Sequence, residues 1–508
     1  MDLHWFDILT FCTFIALVIG VSLYASRGEE TDEDYFLAGR KLSWWLIGFS
    51  LIASNISTEH FVGMAGRGYE LGLAIASYEW MAAVTLVIVA LYFLPRFLKA
   101  GIYTMPEYLE YRFDAGARAI MATFMMLAYV FVALASVLYA GAVALDSVFG
   151  IDLLTGVWLI GILAGVYTIY GGLSAVVWSD LLQGIGLLLG GLLVTVLGFQ
   201  AIGGVDPFLE AAGGKLHTVL PWNHGEMPWV AVFVGGLWIP NLFYWGMNQF
   251  ITQRTLGARS LADGQRGIFL AAALKLLIPF IIVFPGIMAA ELYPDQVAFA
   301  DQAYPVMIRE ILPAGLTGIM FAALFGAVMS SLDSMLNSAA TIFTVDLYKR
   351  HWHGGGAPPR HFVKVGRIAT AVLVVVGCLW APLVGGAGSV FAYIQMFWGF
   401  ISPGIVAAFV FGLFSPRTPP VAAKGAMVLG IPIYGALLWS LPDVAFLHHM
   451  MITFLLLASF MGLMTLLRPV IEPKTLPVSD LDLEAAPFAG WLGLAIVAAT
   501  AVLYVIFW

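Results

Sequence analysis

The chain has 508 residues, of which 61% are hydrophobic and 11% are charged, against about 45–50% and about 25% in soluble domains. Its mean hydropathy is +0.93, and its net charge of −8 is spread along the sequence without a basic stripe. So much apolar surface requires lipid as its solvent. The composition therefore excludes a soluble globular enzyme, a disordered protein and a nucleic-acid-binding protein.

Fourteen apolar stretches are long enough to cross about 30 Å of hydrocarbon. The first has no basic residue before its apolar run and no small-residue cleavage site, so we expect a retained helix rather than a signal peptide. No loop is long enough for a second domain, and residues 1–508 are predicted to form one transmembrane domain. The predicted spans lie near residues 5–25, 43–65, 71–98, 119–147, 155–172, 176–203, 228–252, 266–291, 314–343, 365–386, 388–414, 421–441, 447–468 and 488–508.

The distribution of basic residues predicts that both termini lie outside the cell, because short inside loops of membrane proteins are enriched in Lys and Arg. With an outside N-terminus, 19 of the 23 Lys and Arg residues fall in inside loops, Arg254 among them. Three fall in outside loops, and Lys275 lies within a span. An even number of spans then returns the C-terminus to the outside.

Ionisable residues inside membrane spans are candidates for function, because each is costly unless it is paired or hydrated. They stand in the second, third, sixth, eighth and ninth predicted spans. Lys275 lies too deep in its span to reach the membrane surface easily. The full set is Glu59, His60, Glu79, Asp180, Lys275 and Asp333.

Two spans are predicted to be interrupted. The second carries a polar run across its middle, SNISTEH (54–60), and the seventh carries Pro240-Asn241; both patterns disfavour a continuous helix. Each of these spans is the first of a group of five, 43–203 and 228–414. Broken spans in corresponding positions of two inverted repeats are typical of a transporter binding site. The simpler interpretation is that the two spans are merely kinked.

Six stretches in order along the chain resemble the sodium/solute symporter family, and within it the sodium/glucose and bacterial sodium/galactose cotransporters. The resemblance implies an all-α fold of the LeuT type, with five helices plus five in inverted repeats, one leading helix (5–25) and three trailing helices (421–508). It also implies a multi-pass protein of a bacterial inner membrane. The stretches are DYFLAGRKLSWW (34–45), SLIASNIS (51–58), GLAIASYEW (72–80), YGGLSAVVWSDLLQ (170–183), GGLWIPNLFYWGMNQFITQRTL (235–256) and SSLDSMLNSAATIFTVDLY (330–348).

The resemblance implies sodium as the coupling ion and no organic cofactor. Sodium is a hard cation that prefers oxygen ligands. The family's site maps onto the backbone oxygens of Ala53, Ile56 and Ala327 and the hydroxyls of Ser330 and Ser331. Alternatively, the two hydroxyls bond only to their own helix.

Some family members bind a second sodium ion. The corresponding ligands here are Asp180, Asp333 and Ser334, and two carboxylates near each other would need a cation or a proton between them. Alternatively, Asp180 caps the start of its span and Asp333 faces an inner water cavity.

A sugar presents hydroxyls that donate and accept hydrogen bonds, so its site needs carboxylate, amide and cationic groups. The resemblance assigns sugar contacts to His60, Glu79, Asn241, Lys275 and Gln395, with Tyr244 as the inner stacking gate. Where the bacterial galactose symporter has Gln, this chain has His60, as the animal glucose cotransporters do. The choice between glucose and galactose stays open.

Three other classes of protein were weighed against a sugar symporter. A membrane enzyme would show a metal motif, a nucleophile elbow or a phosphate-binding loop, and a channel would show charged rings or a filter loop. The sequence has none of these motifs, and no catalytic residues are assigned. Symporters of amino acids, sialic acid, nucleosides or carboxylates share the sodium motifs and differ at the substrate positions.

Overall fold

The computed structural model describes residues 5–25, 36–57, 59–352, 356, 358–385 and 390–508. These residues form an all-helical protein without a β-strand, joined by short 3₁₀ and π segments. The helices are α1 (Trp5–Ala25), α2 (Trp44–Asn55), α3 (Ala65–Leu71), α4 (Ser77–Ile88), α5 (Leu94–Ala100), α6 (Met105–Arg112), α7 (Ala115–Ala128), α8 (Ala135–Phe149), α9 (Leu153–Ile202), α10 (Val205–Ala212), α11 (Trp229–Phe233), α12 (Trp238–Gly246), α13 (Gln249–Leu256), α14 (Leu261–Leu292), α15 (Ala303–Ile311), α16 (Leu316–Thr341), α17 (Pro359–Val384), α18 (Val390–Phe414), α19 (Pro420–Ser440), α20 (Phe446–Leu467) and α21 (Ala489–Ile506).

Twelve helices of the described chain are long and apolar enough to cross a membrane, so the protein is a multi-pass membrane protein. The other two predicted spans are the second, which is broken, and the fifth, which forms the first part of α9. The connection predicted near Gly386 lies outside the described residues.

The fifth and sixth predicted spans, 155–172 and 176–203, are joined in α9. This helix continues through Gly171-Gly172, near which the short connection between the two spans is predicted. Gly141 of α8 contacts both α9 and α16, because a Cβ added to it would lie 2.9 Å from the Ile160 side chain and 2.8 Å from the Val328 side chain. Further along α9, a Cβ added to Gly190 would collide with Met320 of α16. Residues 160 and 190 of a straight helix would be about 45 Å apart, whereas Met320 and Val328 are only about 12 Å apart along α16. The segment is therefore strongly bent and supplies both predicted spans.

The second span breaks where the polar run predicts. Helix α2 ends at Asn55, Ile56 has an extended backbone (φ −78°, ψ 95°), and a π-helical segment starts again at Glu59. The last carbonyls of a helix have no partner in the next turn. The backbone oxygens near Ala53 are therefore free to accept other donors.

The seventh span is interrupted, but not at Pro240-Asn241 as the sequence predicts. Pro240 is the third residue of α12, where its missing N–H would have no helical partner in any case. The interruptions lie on either side of α12. Helix α11 ends at Phe233 and α12 begins at Trp238, and a second break at Met247 and Asn248 precedes α13, which begins at Gln249.

Helix α16 is the core of the molecule and is almost entirely buried. Its start is held by the leading helix, because the Asp7 carboxylate accepts hydrogen bonds from the backbone N–H groups of Gly315 (2.6 Å) and Gly318 (3.0 Å). A carboxylate at a helix N-terminus is favourable. The helix that carries Ser330 and Ser331 is thereby fixed at one end.

Candidate substrate and sodium sites

One cavity beside the break in the second span contains all six residues that the sequence assigns to sugar binding. They come from the second, third, seventh, eighth and eleventh predicted spans, so only the folded chain brings them together. The cavity is lined by His60, Glu79, Asn241, Tyr244, Lys275 and Gln395, together with Asn55, Glu59, Met64, Tyr78, Ala82, Ala133, Pro240, Phe243, Trp245, Phe250, Met335, Ile394 and Trp398.

The charged groups of the cavity surround Glu79. The Lys275 ammonium donates to Glu79 Oε2 and also to Asn55 Oδ1, and His60 Nε2 lies 3.6 Å from Glu79 Oε1. The ammonium also lies 5.0 Å from the centre of the Trp245 ring, within range of a cation–π contact. Both partners of the ion pair are buried, so Lys275 and Glu79 neutralise each other inside the membrane.

Asn55 links the broken second span to the seventh. Its Nδ2 donates to the Tyr244 hydroxyl at 3.0 Å, and the Tyr244 ring packs edge-on against Phe250 at 5.4 Å between centroids. A hydrogen bond and a ring contact therefore hold Tyr244 across the cavity. This placement is compatible with the gate that the resemblance implies.

Two amides leave polar atoms available in the cavity. Asn241 is buried, and its Nδ2 has no hydrogen-bond partner among the described residues. Gln395 also lines the cavity and is half-buried. An unpaired buried amide costs free energy, so a hydroxylic ligand that bonds to Asn241 would stabilise the site.

The hydroxyls predicted to bind sodium lie beside backbone oxygens at the end of α2. Ser330 Oγ lies 3.3 Å from the Ala53 carbonyl oxygen, and Ser331 Oγ lies 3.3 Å from the carbonyl oxygen of Ser54, the next residue along α2. Ile56 and Ala327 are fully buried at the break and on α16. Hydroxyl and carbonyl oxygens are the donors that a hard cation prefers, and the residues present fit sodium.

Asp180 takes part in a buried cluster that the sequence did not reveal. Its carboxylate accepts from Ser50 (2.5 Å), Ser54 (2.9 Å) and Ser330 (2.5 Å), and pairs with the Arg254 guanidinium at 2.9 Å. Arg254 also donates to Ser334 Oγ at 2.5 Å. An internal cation therefore neutralises the carboxylate, and this geometry does not support the helix cap that was the alternative for Asp180.

Asp333 does not join this cluster. One of its oxygens lies 2.6 Å from the Thr168 hydroxyl, and the other has no partner among the described residues. Asp333 is fully buried, so it faces a packed helix rather than an inner water cavity. Its carboxyl group thus contacts α9 at Thr168, twelve residues before Asp180, and within the described chain it forms no hydrogen bond with Asp180 or Arg254.

Arg254 is buried, although the sequence predicts it in an inside loop, and only 1% of it is exposed. Asn248, Gln249, Thr252 and Gln253 precede it and are also buried. A polar run after an apolar span is also typical of a solvated loop, so the sequence carries no signal that separates the two.

Comparison with known proteins shows the family of this chain. Residues 35–432 match the model of the sodium:solute symporter family. The chain belongs to the sodium:solute symporter family. It is 42% identical to a sodium/glucose cotransporter of Vibrio parahaemolyticus, over all of this chain and 99% of the relative. It is 36% identical to the sodium/myo-inositol cotransporter 2 of Oryctolagus cuniculus, over 84% of this chain and 68% of that one.

A solved structure supports the fold of this symporter. The outward-open, substrate-bound state of a sodium-coupled sialic acid symporter superposes with a TM-score of 0.83 at 23% identity, over 94% of this chain and all of the other. A nucleobase-cation symporter matches with a TM-score of 0.59 at 15% identity. Both likenesses show the fold, and the LeuT-type architecture expected from the sequence is confirmed.

Proposed function

We propose that this symporter uses the sodium gradient to accumulate a neutral hexose, glucose or galactose, across the plasma membrane. The observation that carries the proposal is the single buried cavity in which Glu79, Lys275, Asn241, Gln395 and His60 converge. The similarity to a sodium/glucose cotransporter over the whole length supports the same substrate class.

The chemistry of the cavity suits a polyol. Glu79 accepts hydrogen bonds from hydroxyls, Lys275 donates them, and the amides of Asn241 and Gln395 do both. Tyr244 and Trp245 offer ring faces to the apolar C–H face of a sugar. A hydroxyl-rich solute would bond to the Asn241 donor that has no partner within the described protein.

The proposed coupling passes through the break in the second span. Sodium is a transported substrate here, and its ligands are the oxygens of Ala53, Ile56, Ala327, Ser330 and Ser331. Asn55, which contacts Lys275 and Tyr244, lies two residues from Ala53. Ordering of this short segment by sodium would position Asn55, and coupling of this kind is reciprocal.

We propose one sodium ion per cycle. Arg254 already provides the counter-charge of Asp180, and Arg254 also donates a hydrogen bond to the Ser334 hydroxyl. Alternating access would move the repeats 43–203 and 228–414 relative to each other. Both termini would lie outside. Inward movement of one sodium charge supplies about 2.3 kcal/mol per 100 mV of membrane potential.

A different small solute is the alternative, and the charges in the cavity bear on it. Glu59 and Glu79 both line the cavity. Because Lys275 pairs with Glu79 and no ammonium or guanidinium group pairs with Glu59 in the described chain, Glu59 would repel an anion such as sialic acid or a carboxylate. Nucleosides and amino acids lack the dense hydroxyl pattern that five polar side chains would satisfy. A neutral polyol related to a sugar has the same chemistry as a hexose, as the myo-inositol cotransporters illustrate.

The test is uptake by the full-length protein in proteoliposomes. Radiolabelled glucose and galactose should accumulate above the external concentration with an inward sodium gradient, and not with potassium in its place. A sodium ionophore should abolish the accumulation. Equal uptake with and without sodium would reject sodium coupling, and accumulation of labelled sialic acid or proline but of neither hexose would reject the sugar assignment.

A further inference from the structure

Glu59 lies where two cavities meet. It lines the substrate cavity and also an adjoining cavity whose wall includes Asp301, Tyr139 and Phe299. Asp301 belongs to the loop between α14 and α15, which the distribution of basic residues places outside. In the described part of this outer cavity's wall, Glu59 and Asp301 carry carboxyl groups and no side chain is basic.

Glu59 differs from Glu79 in having no ammonium or guanidinium group within 4 Å among the described residues. The nearest basic atom is His60 Nδ1, at 3.9 Å from Glu59 Oε1. The other ring nitrogen, His60 Nε2, lies 3.6 Å from Glu79 Oε1, so a single imidazole is placed between the two carboxyl groups.

The substrate cavity therefore contains two carboxyl groups and one ammonium group. Lys275 is bound to Glu79 and to Asn55, and Arg67, the closest arginine in sequence, pairs with Glu70 and Glu226. Among the residues the structure describes, Glu59 is left with the imidazole that it shares with Glu79 and with no ammonium or guanidinium partner. A carboxylate in a low-dielectric cavity is stabilised by a cation brought in with the ligand.

We propose that the symporter also transports protonated amino sugars, hexoses in which an ammonium group replaces one hydroxyl, and that Glu59 selects them. The inference rests on the proposed sugar transport and extends its substrate class. The ammonium of the substrate supplies the charge that Glu59 lacks, while the remaining hydroxyls meet the same groups as those of a neutral hexose. The carboxyl groups of the outer cavity attract cations toward the entrance and disfavour uronic acids.

The experiment is competition in proteoliposomes containing the full-length protein. Sodium-driven uptake of labelled glucose or galactose is inhibited with unlabelled glucose, glucosamine or glucuronate, at a pH at which the amine is protonated. The parent should be inhibited by glucosamine and not by glucuronate, and it should accumulate labelled glucosamine in a sodium-dependent manner. This arm uses no variant and is independent of any folding defect.

Glu59→Gln keeps the size of the side chain and removes its charge. The ratio of the half-inhibitory concentrations of glucosamine and glucose should rise about tenfold, since a hydrogen bond to a charged group is replaced by a neutral one. Glu210→Gln, the same change at an exposed glutamate of α10, should leave the ratio at the parent value.

Three results would overturn the proposal. The first is that the parent does not accumulate glucosamine. The second is that the ratio of the half-inhibitory concentrations of glucosamine and glucose is the same in Glu59→Gln and in the parent. The third is that Glu59→Gln changes only the sodium half-saturation, which would assign the outer carboxyl groups to sodium. Failure of the proposed function itself looks different, because the parent would then accumulate no labelled hexose in response to sodium.

Discussion

Lys275 and Glu79 form an ion pair inside the membrane, with side-chain exposures of 0% and 4%. The two residues come from the eighth and third predicted spans, and the pair is completed on one side by His60 and on the other by Asn55. A charge this deep is expensive alone. The pair therefore places a strong donor and a strong acceptor in the substrate cavity while its net charge is zero.

Breaking this pair should destabilise the protein more than removing both partners. Lys275→Met and Glu79→Gln should each lower the free energy of unfolding, by about 3–5 kcal/mol for a change that leaves the other charge unpaired. The double variant should lose clearly less than the sum of the two. Thermal unfolding in detergent measures the effect, and strict additivity would show that the two charges do not interact.

Sugar affinity should depend on Glu79 and Gln395. Glu79→Ala or Gln395→Ala leaves substrate hydroxyls unpaired in a dry cavity, at about 1–3 kcal/mol each, or roughly fivefold to 150-fold in affinity. Gln200→Ala, at an exposed glutamine near the end of α9, is the matched control. Titration calorimetry with the sugar gives the affinity. Binding as tight as that of the parent in either cavity variant would remove that residue from the site.

The hydroxyl of Ser331 should matter for sodium. Ser331→Ala removes one oxygen beside the α2 carbonyls, so the sodium half-saturation of uptake should rise, and sugar uptake should fall with it. Thr123→Ala removes a hydroxyl from the exposed face of α7 and should change neither value. A sodium half-saturation like that of the parent in Ser331→Ala would place the ion elsewhere.

His60 should influence the choice among hexoses. His60→Gln preserves a side chain that donates and accepts but changes its reach, so transport should persist while the ratio of glucose to galactose uptake changes. The measurement is competition between the two labelled sugars. Identical ratios in the variant and the parent would mean that His60 does not set specificity.

The membrane spans were predictable because about 20 apolar residues are needed to cross a bilayer by a helix. The twelve long helices and the broken second span follow that pattern, and the polar run at residues 54–60 located the break. Pro240 misled the prediction, because a proline in the first turn of a helix is tolerated. Nothing in the sequence showed that residue 238 would be the start of that helix.

The site was predictable only in part. The six residues that the resemblance assigns to sugar binding line one cavity, and of the oxygens that it assigns to sodium, the Ser330 hydroxyl lies beside the Ala53 carbonyl. It gave no indication that Arg254 would reach back from the end of the seventh span to Asp180, or that Asp333 would turn toward Thr168. Hydropathy averages over a window, so it does not reveal the depth of one arginine or the direction of one carboxylate.

The most direct test of the account measures sodium and sugar fluxes together. Proteoliposomes with the parent protein are given labelled sodium and labelled glucose or galactose under a negative internal potential. We expect each solute to accelerate the uptake of the other, with one sodium ion per sugar and a Hill coefficient for sodium near one, because Arg254 already balances Asp180. Sugar uptake that leaves the sodium flux unchanged would contradict the coupling, and a ratio of two would contradict the role given to Arg254.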